Sequence, residues 1–431
     1  MRSWRQSGTR SHPCRRYRAG PAGRAVALSS TVVVVSYRPG DWLVSCLESA
    51  LVQADEVIVV DNGSPGEEAS DIARRLGARP VRATTNLGFA GGVNLGLRHA
   101  RGEFVGLLND DATAAPGWLA SAARLLADTS VAAVTPKVLL SGEYAEVVLA
   151  DEPWFAPRDA RPLGRKITSA TVGTAEILDG LVGAGIHDLE QESSGGAVRR
   201  WRWTAGDRPF YVPLAGAEAG DEVRVDGEPV PLGPRVRLLN HAGSYLRGHG
   251  VAGEYGLGAP DDGRFDQPAE RFGFSGTAPV FRAEIFRQIG TFAAPFFAYN
   301  EDTDWCLRAR LAGRRIAYDP AASVDHRLSS TSGGVQDAFV RFLAQRNSLL
   351  CLVRNAPGDV ARAHLRRRVM EGPGDGVRRA VLQKLPWALS SRIAMRRSWT
   401  QRPRPVWDAW ADHDLTWDTT PASAGYRGGG G

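Results

Sequence analysis

Two short acidic runs set the chemical question. Residues 104–111, "FVGLLNDD", carry an apolar stretch into Asn109, Asp110 and Asp111, and residues 296–304, "FFAYNEDTD", carry an aromatic stretch into Glu301, Asp302 and Asp304. Hard carboxylate oxygens of the first kind suit Mg²⁺ or Mn²⁺ bridging substrate phosphates. A carboxylate delivered by an apolar wall, as in the second, suits a general base. Each run also has an ordinary reading. Asn and Asp are common turn residues and Pro116-Gly117 follows the first pair, while acids in a first helical turn complement the helix dipole. Downstream, "SVDH" ends on His326, which is either a nitrogen ligand or a solvent-facing histidine.

Two further stretches are chemically suggestive. "VVDNGS" sets Asp61 at the end of an apolar run, where it could meet a nucleobase or ribose or simply close a turn. Asn62-Gly63-Ser64 also matches a glycosylation acceptor, which is discounted because nothing in the sequence indicates secretion. "NLGFAGGVNLG", residues 86–96, places Gly88, Gly91, Gly92 and Gly96 ahead of a helix, so that backbone amides and a helix N-terminus face a diphosphate. The spacing fits neither the G-x-G-x-x-G dinucleotide fingerprint nor the G-x-x-x-x-G-K-[ST] phosphate loop. A nicotinamide enzyme and a P-loop NTPase both lose ground.

The elements that must position these residues follow from hydrophobic patterning. "TVVVVSY", "EVIVVDNGS", "ARPVRATT" and "GEFVGLL" read as strands alternating with the amphipathic segments "DWLVSCLESALVQA", "GEEASDIARRLG" and the Gly-rich stretch. Near-continuous Val/Ile runs between helices predict a mainly parallel, Rossmann-like α/β sheet with helices on both faces and ligands at the carboxyl ends of its strands. Residues 141–240 change character. "VRRWRW", "PFYVPL" and "DEVRVDGEPV" alternate and turn like hairpins, predicting a β-rich insertion. The α/β pattern returns from about residue 272 and gives way after Pro357 to a basic helical region.

Five segments are therefore expected. They are a basic disordered arm or misassigned start at 1–25, a first α/β half at 26–140 and the insertion at 141–240. A second α/β half at 241–357 and a tail with a disordered end at 358–431 complete the chain.

Composition bounds the class. The chain has 431 residues, 43% of them hydrophobic, enough for a sizeable core. Cys14, Cys46, Cys306 and Cys351 are far apart and form no C-x-x-C pair, a usage that suits a reducing cytoplasm. No apolar run approaches the ~20 residues of a membrane span. The net charge of +6 hides an acidic body between basic flanks, with seven arginines and no acid in residues 1–24 and twelve basic against two acidic residues in 361–405. Such flanks are compatible with anionic lipid, nucleic acid, or solubility alone.

In this order, "VVVVSYRP", "VIVVDNGS", "NLGFAGGVNLGLRHARGEFVGLLNDDATAAPGWL", "FSGTAPVFRAEIFRQIGTFAAPFFAYNEDTDWCLRARLAGRRIAYDPAASVDH" and "QRNSLLCLVRNAP" resemble glycosyltransferase family 2, the inverting nucleotide-sugar enzymes of the GT-A fold. The resemblance implies that Ser36, Tyr37 and Asp61 surround base and ribose, and that Asn86, Gly91, Gly92 and Asn94 line the nucleotide-sugar pocket. It sets "NDD" where the family has D-x-D, with Asn109 replacing its first Asp and flanking the donor, Asp110 as a ribose or sugar contact, and Asp111 as the metal ligand. Asp302, beside Glu301, resembles the catalytic base, and His326 a further ligand for Mn²⁺ or Mg²⁺.

A rhamnosyltransferase-like bacterial member is the nearest likeness, implying a UDP- or dTDP-sugar donor and a glycan or lipid-linked acceptor in cell-envelope polysaccharide synthesis. Nucleic acid is not an expected partner. The Q-x-x-R-W element of processive synthases is missing, which favours one transfer per encounter. The basic stretch "VRRAVLQKLPWALSSRIAMRR", in which Pro386 is expected to interrupt the helix, suggests a peripheral contact with an anionic membrane surface, and the expected location is cytoplasmic or the inner face of the cell membrane. The competing classes are a sugar nucleotidyltransferase, which should carry a Gly-rich loop and a basic residue after its first strand where "SYRPGDW" stands, and a non-catalytic nucleotide-sugar-binding protein. A glycosidase needs neither a nucleotide pocket nor a metal.

Overall fold

A computed structural model describes residues 29–149, 151–157, 159, 161–194, 197–214, 221–327, 338–370 and 376–412. The expected basic arm and disordered C-terminus lie almost entirely outside these residues. The first half alternates as β1 (Ser30–Ser36), α1 (Trp42–Leu51), β2 (Glu56–Asp61), α2 (Glu68–Leu76), β3 (Arg79–Arg82), α3 (Gly88–His99) and β4 (Phe104–Asn109). A short β5 (Ala112–Ala114), α4 (Trp118–Leu126) and the long β6 (Val131–Leu140) follow.

In the central sheet the order is Ala269–Glu270, Arg315–His326, β6, Val280–Arg282, β4, β1, β2, β3. Strands β4, β1, β2 and β3 run parallel, as do β6 and Arg315–His326, while Val280–Arg282 is inserted antiparallel between the two blocks.

Alternation along β1 explains the layers. Val32 and Val34 enter one core with Leu43, Leu47 and Trp118 beneath α1 and α4. Val33 faces the other, which holds Ala90, Val93, Phe281 and Trp305 beneath α3, α5 (Ile285–Ile289) and α6 (Glu301–Leu311). The second core extends into α7 (Ala338–Asn355) through Leu350, Leu352 and Val353, so α7 packs on the same side of the sheet as α3 and α6.

Within 141–240 the described residues form short antiparallel strands around an apolar cluster that includes Val147, Ile167, Val172, Phe210, Val212 and Val225, and Leu239–His241 returns to the central sheet by pairing antiparallel with β6. Within "DEVRVDGEPV", Asp226 and Gly227 both adopt positive φ between the paired Val225 and Glu228, the two-residue turn whose twist matches a hairpin. Beyond α7 come α8 (Gly358–Met370), α9 (Gly376–Met395) and α10 (Pro403–Trp410). Contrary to the sequence expectation, Pro386 does not interrupt α9. The residue is exposed, so the hydrogen bond that its ring nitrogen cannot make is lost on the open face while the packed face stays intact.

Candidate active site

Register assembles the first half of the site. Ser36 pairs with Asp61 across β1 and β2, and Val35 pairs with Asn109 across β1 and β4, so three strands end level. The Ser36 hydroxyl donates to Asp110 Oδ2 at 2.7 Å. Burial pushes the Asp110 carboxyl up to about 7, the Ser36 hydrogen bond opposing this and the neighbouring Asp111 charge adding to it. Two adjacent buried carboxylates at the end of an apolar strand are costly unless a positive charge faces them.

That charge has a place to sit. β5 pairs antiparallel with the end of Arg315–His326, setting His326 opposite Ala112 and beside Asp111. His326 Nε2 lies 3.1 Å from Asp111 Oδ1 and 3.4 Å from the Asn109 side-chain nitrogen. Its Nδ1 lies 2.9 Å from Asn240 Oδ1, and the hydrogen-bond network therefore assigns the ring proton to Nδ1. Nε2 then presents a lone pair toward a carboxylate oxygen, an arrangement that a cation or an added proton satisfies. One carboxylate and one oriented imidazole form a donor set that fits Mn²⁺ or Mg²⁺, with substrate phosphates and water completing the coordination. Among the described residues there is no group of three or more His, Cys, Asp or Glu side chains able to hold a metal by themselves.

The second half begins with a constrained loop. Phe297, Tyr299 and Asn300 all have positive φ, a conformation L-residues adopt only when their surroundings impose it. Asn347 of α7 imposes it here, its side-chain nitrogen reaching the carbonyls of Phe296 at 3.0 Å, Ala298 at 2.8 Å and Tyr299 at 2.7 Å. Arg346 adds a bond to the Phe296 carbonyl at 2.7 Å.

The loop releases into α6, where Asp302 Oδ1 accepts from the Thr303 amide at 2.6 Å. A buried ion pair fixes this helix from behind. Asp304 accepts from Arg308 at 2.9 Å, Arg354 at 2.6 Å and Asn355 at 2.8 Å. Glu301 is buried with Oε2 unpartnered, and burial followed by the Asp302 charge pushes its carboxyl well above the usual range. Burial also raises Asp302, which is partly exposed. Burial therefore favours a proton on this pair, and Asp302 is its more exposed member.

The two halves meet through residues 275–277. The Gly276 amide faces the Asp302 carboxylate closely enough to favour its charged form, and the next carbonyl, that of Thr277, accepts from the Asn109 amide at 2.8 Å. Asp302 and the acid pair accordingly share one end of the sheet. On the other side the Ala90 amide donates to the Phe297 carbonyl at 3.1 Å, tying the Gly-rich stretch to the loop that leads into Asp302.

Several expected donor contacts have other partners. Asp61 is fully buried, accepting from the Ser64 amide and the Ser70 hydroxyl, with Arg82 at 3.6 Å. Asn94 clamps the Phe292 backbone through bonds of 2.7 and 3.0 Å. Asn86 accepts from the Gly88 amide at 2.8 Å and Asn62 from the Leu87 amide at 3.1 Å, so protein groups occupy amides at the start of α3 that were expected to face a diphosphate.

Gly91 and Gly92 lie inside α3 rather than in a loop ahead of it. A Cβ on Gly92 would fall 2.6 Å from the Val35 side chain, so this glycine lets the helix lie close on β1. Tyr37, half-buried beside the Ser36–Asp110 pair, carries the Arg38 guanidinium 5.3 Å from its ring centre.

Sequence reasoning missed Asn240, Glu254, Thr277 and Asn347. Glu254 lies near Asp302, and burial followed by that charge pushes its carboxyl up to about 8. Thr277 and Asn347 had a local signal, in the stretches "FSGTAPVFR" and "QRNSLLCLVRNAP".

A parallel α/β sheet ending on a carboxylate pair, with an antiparallel strand between its blocks and a carboxylate-bearing helix opposite, defines a GT-A glycosyltransferase scaffold. Residues 31–158 match the family model of glycosyl transferase family 2, and this segment is a family 2 glycosyltransferase domain.

Solved structures are similar at lower identity. GalNAc-T7 with UDP, GalNAc and Mn²⁺ is 13% identical with a TM-score of 0.48 over 84% of this chain and 56% of that one. The chain thus spans little more than half the length of that enzyme. A mannosyltransferase from Pyrobaculum calidifontis with GDP-Man and Mn²⁺ is 15% identical with a TM-score of 0.37, over 86% of this chain and 76% of that one. Glucosyl-3-phosphoglycerate synthase from Mycobacterium tuberculosis, with Mn²⁺, UDP and glucosyl-3-phosphoglycerate, is 23% identical with a TM-score of 0.23 over 26% of this chain and 44% of that one. No match to a curated protein was found.

Proposed function

We propose that this protein is an inverting glycosyltransferase that moves a sugar from a UDP- or dTDP-sugar to a hydroxyl of a glycan or lipid-linked acceptor. The observation that carries the reading is the nearness of Asp302 to the Gly276 amide, next in sequence to Thr277, whose carbonyl accepts from Asn109; it supports a proton acceptor and an acidic ligand pair at one end of the sheet. Asp111 and His326 would hold the Mn²⁺ or Mg²⁺, and Asn240 would fix the His326 tautomer that leaves Nε2 as a ligand. The cation supplies charge neutralisation for the departing nucleoside diphosphate.

Asp302 takes the proton of the acceptor hydroxyl as its oxygen bonds to the anomeric carbon from the opposite face. The bond to the diphosphate breaks and its electron pair leaves with the phosphate oxygen. Glu301 lies beside the base in a buried position that disfavours a second full charge there. Ser36 and Asp110 form the floor beneath the donor, and Tyr37 offers a ring face to the base.

Within this reading 26–140 and 241–357 are donor and acceptor halves of one domain, 141–240 is an insertion with its own core, and 358–431 faces an anionic membrane surface at the cytoplasmic side. No helix among the described residues is long and apolar enough to cross a membrane.

Asp302→Asn tests the reading. Transfer is expected to fall by about 10²–10⁴-fold, the usual worth of a general base, while calorimetric donor binding in Mn²⁺ stays at the wild-type level. A variant that retains full transfer would return the protein to a non-catalytic binding role or another mechanism.

A further inference from the structure

Away from the candidate active site, a recess of about 470 Å³ opens between the start of α8 and the end of α9, closed by the start of α10. Its lining includes Arg392, Arg396, Arg402 and Arg404 but a single acid, Asp359. That acid is engaged by Arg404. Arg392 is anchored by bonds of 2.8 Å to the Val353 and Ala356 carbonyls, and burial with the adjacent Arg396 charge holds its guanidinium below its usual range. Arg392 and Arg396 both lie over the Trp399 ring, at 5.4 and 6.0 Å. Neither they nor Arg402 have an acidic partner among the described residues. Trp399, also in the lining, has a buried indole N–H with no acceptor. Guanidiniums gathered without counter-charge around a recess form a phosphate site, since their forked donors match phosphate oxygens in pairs.

The helix beside this recess has a second unpaired feature. Val377, Val381 and Ala388 turn one face of α9 into the protein. Leu382, Leu389 and Ile393 are nevertheless 46%, 47% and 68% exposed. At 3.6 residues per turn these three fall within about 40° of one another on a different face. Arg379 and Arg396 flank that stripe. An apolar stripe between arginines, in a region with twelve basic and two acidic residues, matches the interfacial zone of an anionic bilayer, where aliphatic side chains enter the acyl boundary and arginines meet headgroups.

We propose that the recess formed by Arg392, Arg396, Trp399 and Arg402 binds the phosphate of an anionic phospholipid headgroup while Leu382, Leu389 and Ile393 enter the bilayer beside it. This deepens the membrane-facing part of the functional reading and rests on it. The site fixes where on the helices a lipid phosphate is held and which side of the molecule lies against the bilayer.

The test sediments the full chain with vesicles of phosphatidylcholine mixed with phosphatidylglycerol, and with pure phosphatidylcholine, at low salt. Inorganic phosphate and a UDP-sugar are titrated calorimetrically alongside. The wild type is expected to bind the mixed vesicles and not the neutral ones. Arg396→Gln/Arg402→Gln should lower partitioning about 30-fold, from the usual contribution of each basic residue near a charged surface. Leu389→Ser/Ile393→Ser should lower it as well, and donor binding should be unchanged in both variants.

Wild-type partitioning by the arginine variant would overturn the headgroup site while leaving the membrane reading standing. Absence of vesicle binding by the wild type would overturn both, and saturable inorganic phosphate binding in that case would assign the recess to a free anion. Because donor binding is measured separately, none of these failures is confused with failure of the transferase reading. Arg402→Gln alone, at an exposed position, provides the same readout with the least perturbation of the fold.

Discussion

Replacing Gly88 by Ala probes the seam between α3 and the loop that leads into Asp302, the proposed base. Gly88 opens α3 with φ +71°, and a Cβ there would lie 2.3 Å from the Phe297 carbonyl oxygen and 2.6 Å from its carbon. Ordinary contact begins near 3.4 Å, so the two backbones must separate by about 1 Å. Neither yields easily. The Ala90 amide holds Phe297 from one side, and Asn347 holds the carbonyls of the neighbouring residues from the other.

The left-handed conformation alone costs Ala about 1–2 kcal/mol. Displacing the loop that carries Asp302 by about 1 Å is enough to lower kcat roughly 100-fold. Gly77→Ala is the control, since Gly77 has φ +89° but nothing within 4 Å of its added Cβ, and it should show the stability cost without the rate loss. Steady-state transfer with Mn²⁺, donor calorimetry and urea unfolding separate the two effects. A Gly88→Ala enzyme with wild-type kcat would refute the claim that this contact sets the distance between donor and base.

Other perturbations follow from the same geometry. Asp304→Asn leaves Arg308 and Arg354 buried without their counter-charge and should lower stability by about 3–5 kcal/mol in urea titrations, unlike substitution at an exposed ion pair such as Arg74–Asp71. Asn240→Leu removes the partner of His326 Nδ1 and should weaken Mn²⁺ affinity about 10–100-fold by calorimetry, with donor binding in the absence of metal unchanged.

Glu254 has a folded-state carboxyl raised from 4.5 to about 8, so the folded protein keeps a proton there that the unfolded chain releases. Its contribution is therefore full below pH 4.5 and is lost as pH rises toward 8. Glu254→Gln should flatten the fall in unfolding midpoint across that window, and an unchanged pH profile would show that Glu254 does not carry it.

Much of the scaffold was written in local pattern. The run Val32–Val35 specifies a strand buried on both faces, and Gly77 and Asp226-Gly227 mark a helix end and a hairpin by their tolerance of positive φ. The acid pair after β4 and the acids opening α6 were visible because charge at the end of an apolar element is conspicuous in one dimension.

What only tertiary structure decided is which polar groups remain for a ligand once the protein has used its own. Asp61, Asn86 and Asn94 have suitable side chains in suitable places, yet each is bonded within the fold. The Gly-rich stretch looked like a diphosphate cradle, but Gly92 serves the close approach of a helix to β1. Conversely, Asn240 and Asn347 stand far in sequence from the residues they orient, and nothing near Asn240 marks it.

Sequence alone thus determined the sheet, its helices and the carboxylates at its edge, because burial and backbone preference act over a few residues. The pairing of Asp111 with His326, the route from Asp302 to Asn109 and the recess between α8, α9 and α10 were decided by strand register and helix packing. Those contacts join residues tens to hundreds of positions apart, and their energy exists only once the chain has closed on itself.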